Sequence, residues 1–101
     1  MEEEKLINSA KAGDGEAFGK LYDNHFKPIY RYIFLRVGGR KADTEDLSHQ
    51  VFLSAWQSIK NYEARGLPFS SWLYRIAHNA VVDYYRSYRP PVDIEMVNES
   101  E

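Results

Sequence analysis

Between Asp43 and Arg86 the apolar residues recur every third or fourth position, broken once by a short polar segment. An α-helix turns once in about 3.6 residues, so that spacing gathers the apolar side chains on one face. No stretch of the chain alternates apolar and polar residues as a half-buried strand does. The pattern predicts an all-α fold. Asp43 to Arg86 reads as two amphipathic helices joined by a loop of about residues 61–68, which holds Asn61, Tyr62, Arg65, Gly66 and Pro68.

The first helix of this pair opens on Asp43, Glu45 and Asp46. Asp43 is the expected N-cap, and the helix dipole favours the acids that follow. Leu47, Val51, Phe52, Ala55, Trp56 and Ile59 form the expected inner face. Asp46, His49, Gln50, Leu53 and Gln57 form the opposite face, where Leu53 is an apolar residue among polar ones. Pro68 suits the first turn of the last helix, which should run to about Tyr88 before Pro90-Pro91 ends it. Its inner side carries Leu73, Ile76, Ala77, Ala80, Val81 and Tyr84. Its outer side carries Arg75, His78, Asn79, Val82, Asp83 and Arg86.

Upstream, residues of about 3–12 form a short helix around Leu6, Ile7 and Ala10, which Gly13 ends. Asp14 is the expected N-cap of a second helix over about 15–37. The apolar stripe of that helix is wide enough for two neighbours. Pro28 lies inside it and predicts a bend near Phe26–Pro28, with the helix continuing beyond. Gly38-Gly39-Arg40-Lys41 is a turn. The sum is a compact helical bundle of three long helices plus a short N-terminal helix. A chain of 101 residues suffices for one such domain, assigned here to residues 1–89, with 90–101 as an acidic linker or tail.

The net charge of −2 argues at first against nucleic acid, but its distribution matters. Asp93, Glu95, Glu99 and Glu101 crowd the last nine residues, and without them the balance is +2. No cysteine is present, which excludes disulfides and thiolate chemistry. No apolar run reaches the ~18–20 residues of a membrane span. The acidic start, Met1-Glu2-Glu3-Glu4, is unlike a signal peptide, so the cytoplasm is the expected compartment.

His25, His49 and His78 form no metal-ligand pair, and the acids at 43–46 lack the glycine and spacing of a calcium loop. No metal or cofactor is expected. Ser70, Ser71, His78 and Asp83 include the residue types of a hydrolase triad, but they crowd one helix with no elbow to expose a nucleophile. An enzyme is therefore not expected. Tyr62, Arg65, Phe69, Trp72, Tyr74 and Arg75 lie close together, with Asn61, His78 and Asn79 nearby. Bases of a single strand stack on such rings and arginines hold phosphates. The alternative is that Phe69 and Trp72 are core residues beneath a solvated basic face. Composition leaves both open.

Three segments decide further. Ala42-Asp43-Thr44-Glu45-Asp46-Leu47, Val51-Phe52-Leu53-Ser54-Ala55-Trp56 and Phe69-Ser70-Ser71-Trp72-Leu73-Tyr74-Arg75-Ile76-Ala77-His78-Asn79 resemble the second conserved region of bacterial RNA polymerase sigma factors of the extracytoplasmic-function (ECF) type. Ala17-Phe18, Leu21-Tyr22 and Pro28-Ile29-Tyr30-Arg31-Tyr32 resemble the same group, so the likeness extends to about Arg89. It implies that Asp46, His49, Gln50 and Leu53 bind the clamp helices of the polymerase β′ subunit. It further implies that Asn61, Tyr62, Arg65, Ser71, Arg75, His78 and Asn79 bind the non-template strand of the promoter −10 element as single-stranded DNA. An anti-sigma factor is a further partner the resemblance allows. A sigma-like interaction module that does not recognise DNA is the alternative. Two departures stand out. His49-Gln50 replaces the Gln-Glu common in the family, and the sequence stops in the linker that precedes the helix-turn-helix domain of an ECF factor, as in an isolated domain of a longer protein or a stand-alone relative. One domain of a longer protein is the expected case.

Overall fold

A computed structural model describes residues 2–88. Four α-helices account for most of them: α1, Glu2–Lys11; α2, Gly15–Arg36; α3, Lys41–Ser58; and α4, Phe69–Tyr88. A short 3₁₀ turn, Ile59–Asn61, extends α3 toward the loop. No strand occurs among the described residues. The expected all-α bundle of three long helices and a short first one is what forms. The acidic segment 90–101 lies outside the described residues.

Local chemistry sets the helix ends. Gly13 takes φ +101°, a left-handed conformation that an L side chain rarely adopts, and so ends α1. Asp14 then caps α2, its carboxylate accepting from the N–H groups of Glu16 (3.0 Å) and Ala17 (3.3 Å). α2 continues through Pro28 as one helix. The bond lost there belonged to the carbonyl of Asn24. Both residues lie on an exposed side, where water can replace the missing donor.

The start of α3 differs from the expected one. The helix begins at Lys41, its N-cap position falls on Arg40, and no side chain caps it. Gly38 and Gly39 at φ +71° and +73° turn the chain so sharply that the helix starts before Asp43. Asp43 sits inside the first turn instead, and its carboxylate accepts the hydroxyl of Tyr84. The Thr44 hydroxyl is buried and donates to the Arg40 carbonyl at 2.6 Å.

α2 is the central element, packed by α1, α3 and α4. Ile29, Ile33 and Val37 are fully enclosed by Leu47, Val51, Phe52 and Ala55 of α3 and by Leu73, Ala77 and Val81 of α4. Burying one such aliphatic side chain contributes about 1.5–3 kcal/mol. A second feature of α2 is a ladder of rings one turn apart, Tyr22–Phe26–Tyr30–Phe34, with centroid separations of 5.2, 5.6 and 6.3 Å. Its first two rungs, Tyr22 and Phe26, meet Phe52, and its last ring lies against Gly39. Trp56, expected on the inner face of α3, stands at its rim. The indole is 36% exposed and leans on Phe18 at 5.1 Å.

Candidate nucleic-acid and partner interfaces

Helical periodicity puts Asp46, His49, Gln50 and Leu53 on the outward face of α3, and all four are exposed. Leu53 is 56% exposed, an apolar side chain that the described residues leave largely uncovered. On α4 the same periodicity gathers Ser71, Arg75, His78 and Asn79 into a second stripe, of which only Ser71 is half-buried. The inner side of α4 is Leu73, Ala77 and Val81, so packing fixes which way the stripe points. The two faces meet. Gln50 and Asn79 line one shallow groove between α3 and α4, with Ser54 and Asp83 beside them.

The loop between the faces is held at several points. Asn61 ends the 3₁₀ turn and is exposed. Arg65 and Gly66 both take left-handed conformations, φ +51° and +78°, which folds residues 63–67 into a tight hook. The Leu67 N–H closes the hook onto the Ala64 carbonyl at 2.9 Å. The Arg65 guanidinium donates twice to one carboxylate oxygen of Glu63, each at 3.2 Å. Pro68 precedes α4 and accepts the Ser71 N–H through its carbonyl.

Tyr62 is placed differently from the other loop residues. Only 7% of it is exposed. Its ring meets Phe69 edge-on at 5.3 Å and Trp72 at 4.9 Å. To stack on a base in this arrangement, the ring would have to leave both neighbours. Burial pushes its hydroxyl pKa up, with the nearby Glu3 charge acting in the same direction. The phenol is thus neutral at neutral pH. Asn61, Arg65, Arg75, His78 and Asn79 are surface groups, whereas Tyr62 underlies them.

Two features of this site carry little signal in the sequence. Lys11 reaches across 51 positions to donate to the Tyr62 carbonyl at 2.7 Å. Leu67, at the loop tip, is 59% exposed. An apolar residue in a loop of Gly and Pro was the one hint available for the second. Among the described residues no group of histidines and acids gathers to hold a metal. No described helix is long and apolar enough to cross a membrane.

Against known proteins, residues 21–90 match the family model described as Sigma-70 region 2. The chain belongs to the sigma-70 region 2 family. Its relatives are of the ECF type. It is 41% identical over 100 residues to the ECF RNA polymerase sigma factor BldN of Streptomyces coelicolor, covering 96% of this chain and 38% of that protein. It is 34% identical over 86 residues to SigW of Bacillus subtilis, covering 85% of this chain and 45% of that one. The chain thus spans less than half the length of these relatives. Among solved structures, it resembles one in the RsbN–BldN complex with a TM-score of 0.72 and 43% identity, covering 80% of this chain and 58% of that one. It resembles another, in the structure of CnrH with the cytosolic domain of CnrY, with a TM-score of 0.69 and 29% identity, covering 92% and 58%. The sigma-factor resemblance carried by residues 42–79 is therefore a family membership, and the region 2 match takes in both exposed faces.

Proposed function

We propose that this chain is a transcription initiation domain that works in the cytoplasm by binding two macromolecules at once. Asp46, His49, Gln50 and Leu53 dock it on the RNA polymerase core, at the β′ clamp helices. Asn61, Arg65, Ser71, Arg75, His78 and Asn79 bind the non-template strand of the −10 element as single-stranded DNA. Tyr62 supports that surface from beneath, with its ring against Phe69 and Trp72. The observation that carries this function is the pair of exposed faces on α3 and on the loop and α4, meeting at the groove of Gln50 and Asn79 in a region 2 fold.

No covalent chemistry is required. Duplex opening follows if the domain binds the open strand better than the duplex, which shifts the population toward the melted form. Extruding a base costs a few kcal/mol, which contacts in a fitted pocket can offset.

The test is a pair of titrations at low salt, where phosphate contacts are strongest. A clamp-helix fragment and a single-stranded oligodeoxynucleotide should each bind, and the strand should bind better than its duplex. Asp46→Ala should weaken the first titration alone and Arg75→Ala the second alone. Indifference to both ligands would reject the proposal. The RsbN–BldN and CnrH–CnrY complexes support protein engagement as a second reading, with a module that does not read DNA as its alternative form. Clamp binding with no strand binding would select it.

A further inference from the structure

We infer that α1 positions the promoter-reading loop, and that Lys11 is the positioning residue through which it acts. The inference rests on the proposed single-strand role of that loop.

Lys11 is the last residue of α1, where the helix dipole favours a cation. Its ammonium donates to the backbone carbonyl of Tyr62 at 2.7 Å in a partly buried setting. That carbonyl lies where the 3₁₀ turn gives way to extended backbone, φ −67° and ψ +137°, at the entry to the loop. The opposite end of α1 reaches the loop's exit. Glu3 meets the Nε2 atom of His25 at 2.5 Å, and the His25 ring stands edge-on to Phe69, the first residue of α4, at 5.4 Å. Phe69 in turn packs on Tyr62. The shortest α-helix therefore brackets residues 62–69, directly at one end and through His25 at the other.

The loop needs such an anchor. Arg65 and Gly66 hold consecutive left-handed conformations, and residues 63–68 are exposed, with the Leu67 N–H bonded locally to the Ala64 carbonyl. With the entry carbonyl fixed, Asn61 and Arg65 keep one orientation relative to the α4 stripe. Without it, the hook samples others, and binding a strand must restore the order. Lys11 precedes residues 21–90, the part matched by the family model, so this anchor is additional to the matched region. Its ammonium is engaged by the chain itself, so its effect on DNA passes through loop geometry and not through phosphate.

The experiment compares the 101-residue chain with Lys11→Met and Lys11→Arg. The probes are a labelled, randomised single-stranded oligodeoxynucleotide and a clamp-helix fragment. Lys11→Met should lose about three- to tenfold in strand affinity, the range expected for one charge-assisted hydrogen bond at a partly exposed site. Clamp binding should not change, and Lys11→Arg should restore most of the loss. Amide exchange should quicken in residues 62–67 alone. The logarithmic salt slope should stay at its original value. A slope lowered by about 0.7 would instead mean a lost phosphate contact, and that would overturn the positioning role. Equal strand binding by Lys11→Met and the unmodified chain would also overturn it while leaving the DNA-binding proposal intact. Failure of the unmodified chain to bind any strand would overturn both. If Lys11→Met does not fold, Lys11→Gln takes its place, with the same outcomes.

Discussion

The Tyr84 hydroxyl donates to the Asp43 carboxylate at 2.6 Å, tying the end of α4 to the first turn of α3. Arg40 donates to the same hydroxyl at 3.1 Å, so the phenol sits between an acid and a base. A hydrogen bond to a charged group in a partly exposed position contributes about 1 kcal/mol. Tyr84→Phe keeps the ring and removes the bond. Its urea midpoint should fall by an amount equivalent to about 1 kcal/mol with an unchanged m-value. An unchanged midpoint would show that water replaces the contact without loss.

The same bond predicts an alkaline limit to stability. The Tyr84 pKa is raised, first by its hydrogen bond to Asp43 and then by burial. That of Tyr62 is raised by burial and then by Glu3. In both cases the neutral phenol is favoured in the folded chain. The stabilisation is complete below the unfolded tyrosine value of about 10 and is lost as pH rises through the higher folded values. The double variant Tyr62→Phe/Tyr84→Phe should therefore lose less stability than its parent between about pH 9 and 11. Parallel loss in both proteins would assign the alkaline limit to other groups.

Glu63 holds the guanidinium that the proposed function needs for DNA. Both side chains are well exposed, so the pair adds little to folding. Glu63→Gln should leave the melting temperature unchanged. It should raise single-strand affinity about two- to fivefold, the scale of one exposed ion pair. The gain should vanish in an Arg65→Ala background, which separates release of Arg65 from a general change in charge.

At Gln50 the resemblance to ECF sigma factors implies a glutamate. Gln50→Glu restores that carboxylate on the exposed face of α3. Binding of the clamp-helix fragment should tighten about two- to fivefold, more at low salt than at high, as expected of a solvent-exposed charge. Weaker binding at every salt concentration would show that this chain's docking face suits glutamine.

Periodicity alone was enough to place both stripes, because Leu47, Val51 and Ala55 on α3 and Leu73, Ala77 and Val81 on α4 leave one orientation for each helix. Asp14 was legible as a cap for the same local reason. Asp43 was not. A capping acid and a first-turn acid look alike in sequence, and the choice fell to how sharply Gly38 and Gly39 turn. The burial of Tyr62 was not legible either. An aromatic residue in a polar loop suggests a stacking surface, yet Phe69 and Trp72 provide a place for its ring inside. The Lys11–Tyr62 contact spans 51 positions and has no local signature at either end.

The two tryptophans of the chain divide the molecule optically. Trp56 stands at the rim of α3, on the helix that carries Leu53, with Phe18 as its ring neighbour. Trp72 lies under the loop against Tyr62 and Phe69. A chain keeping only Trp56 would report by its emission on α3. One keeping only Trp72 would report on the loop, so the order in which the two proposed ligands arrive can be timed without an attached dye.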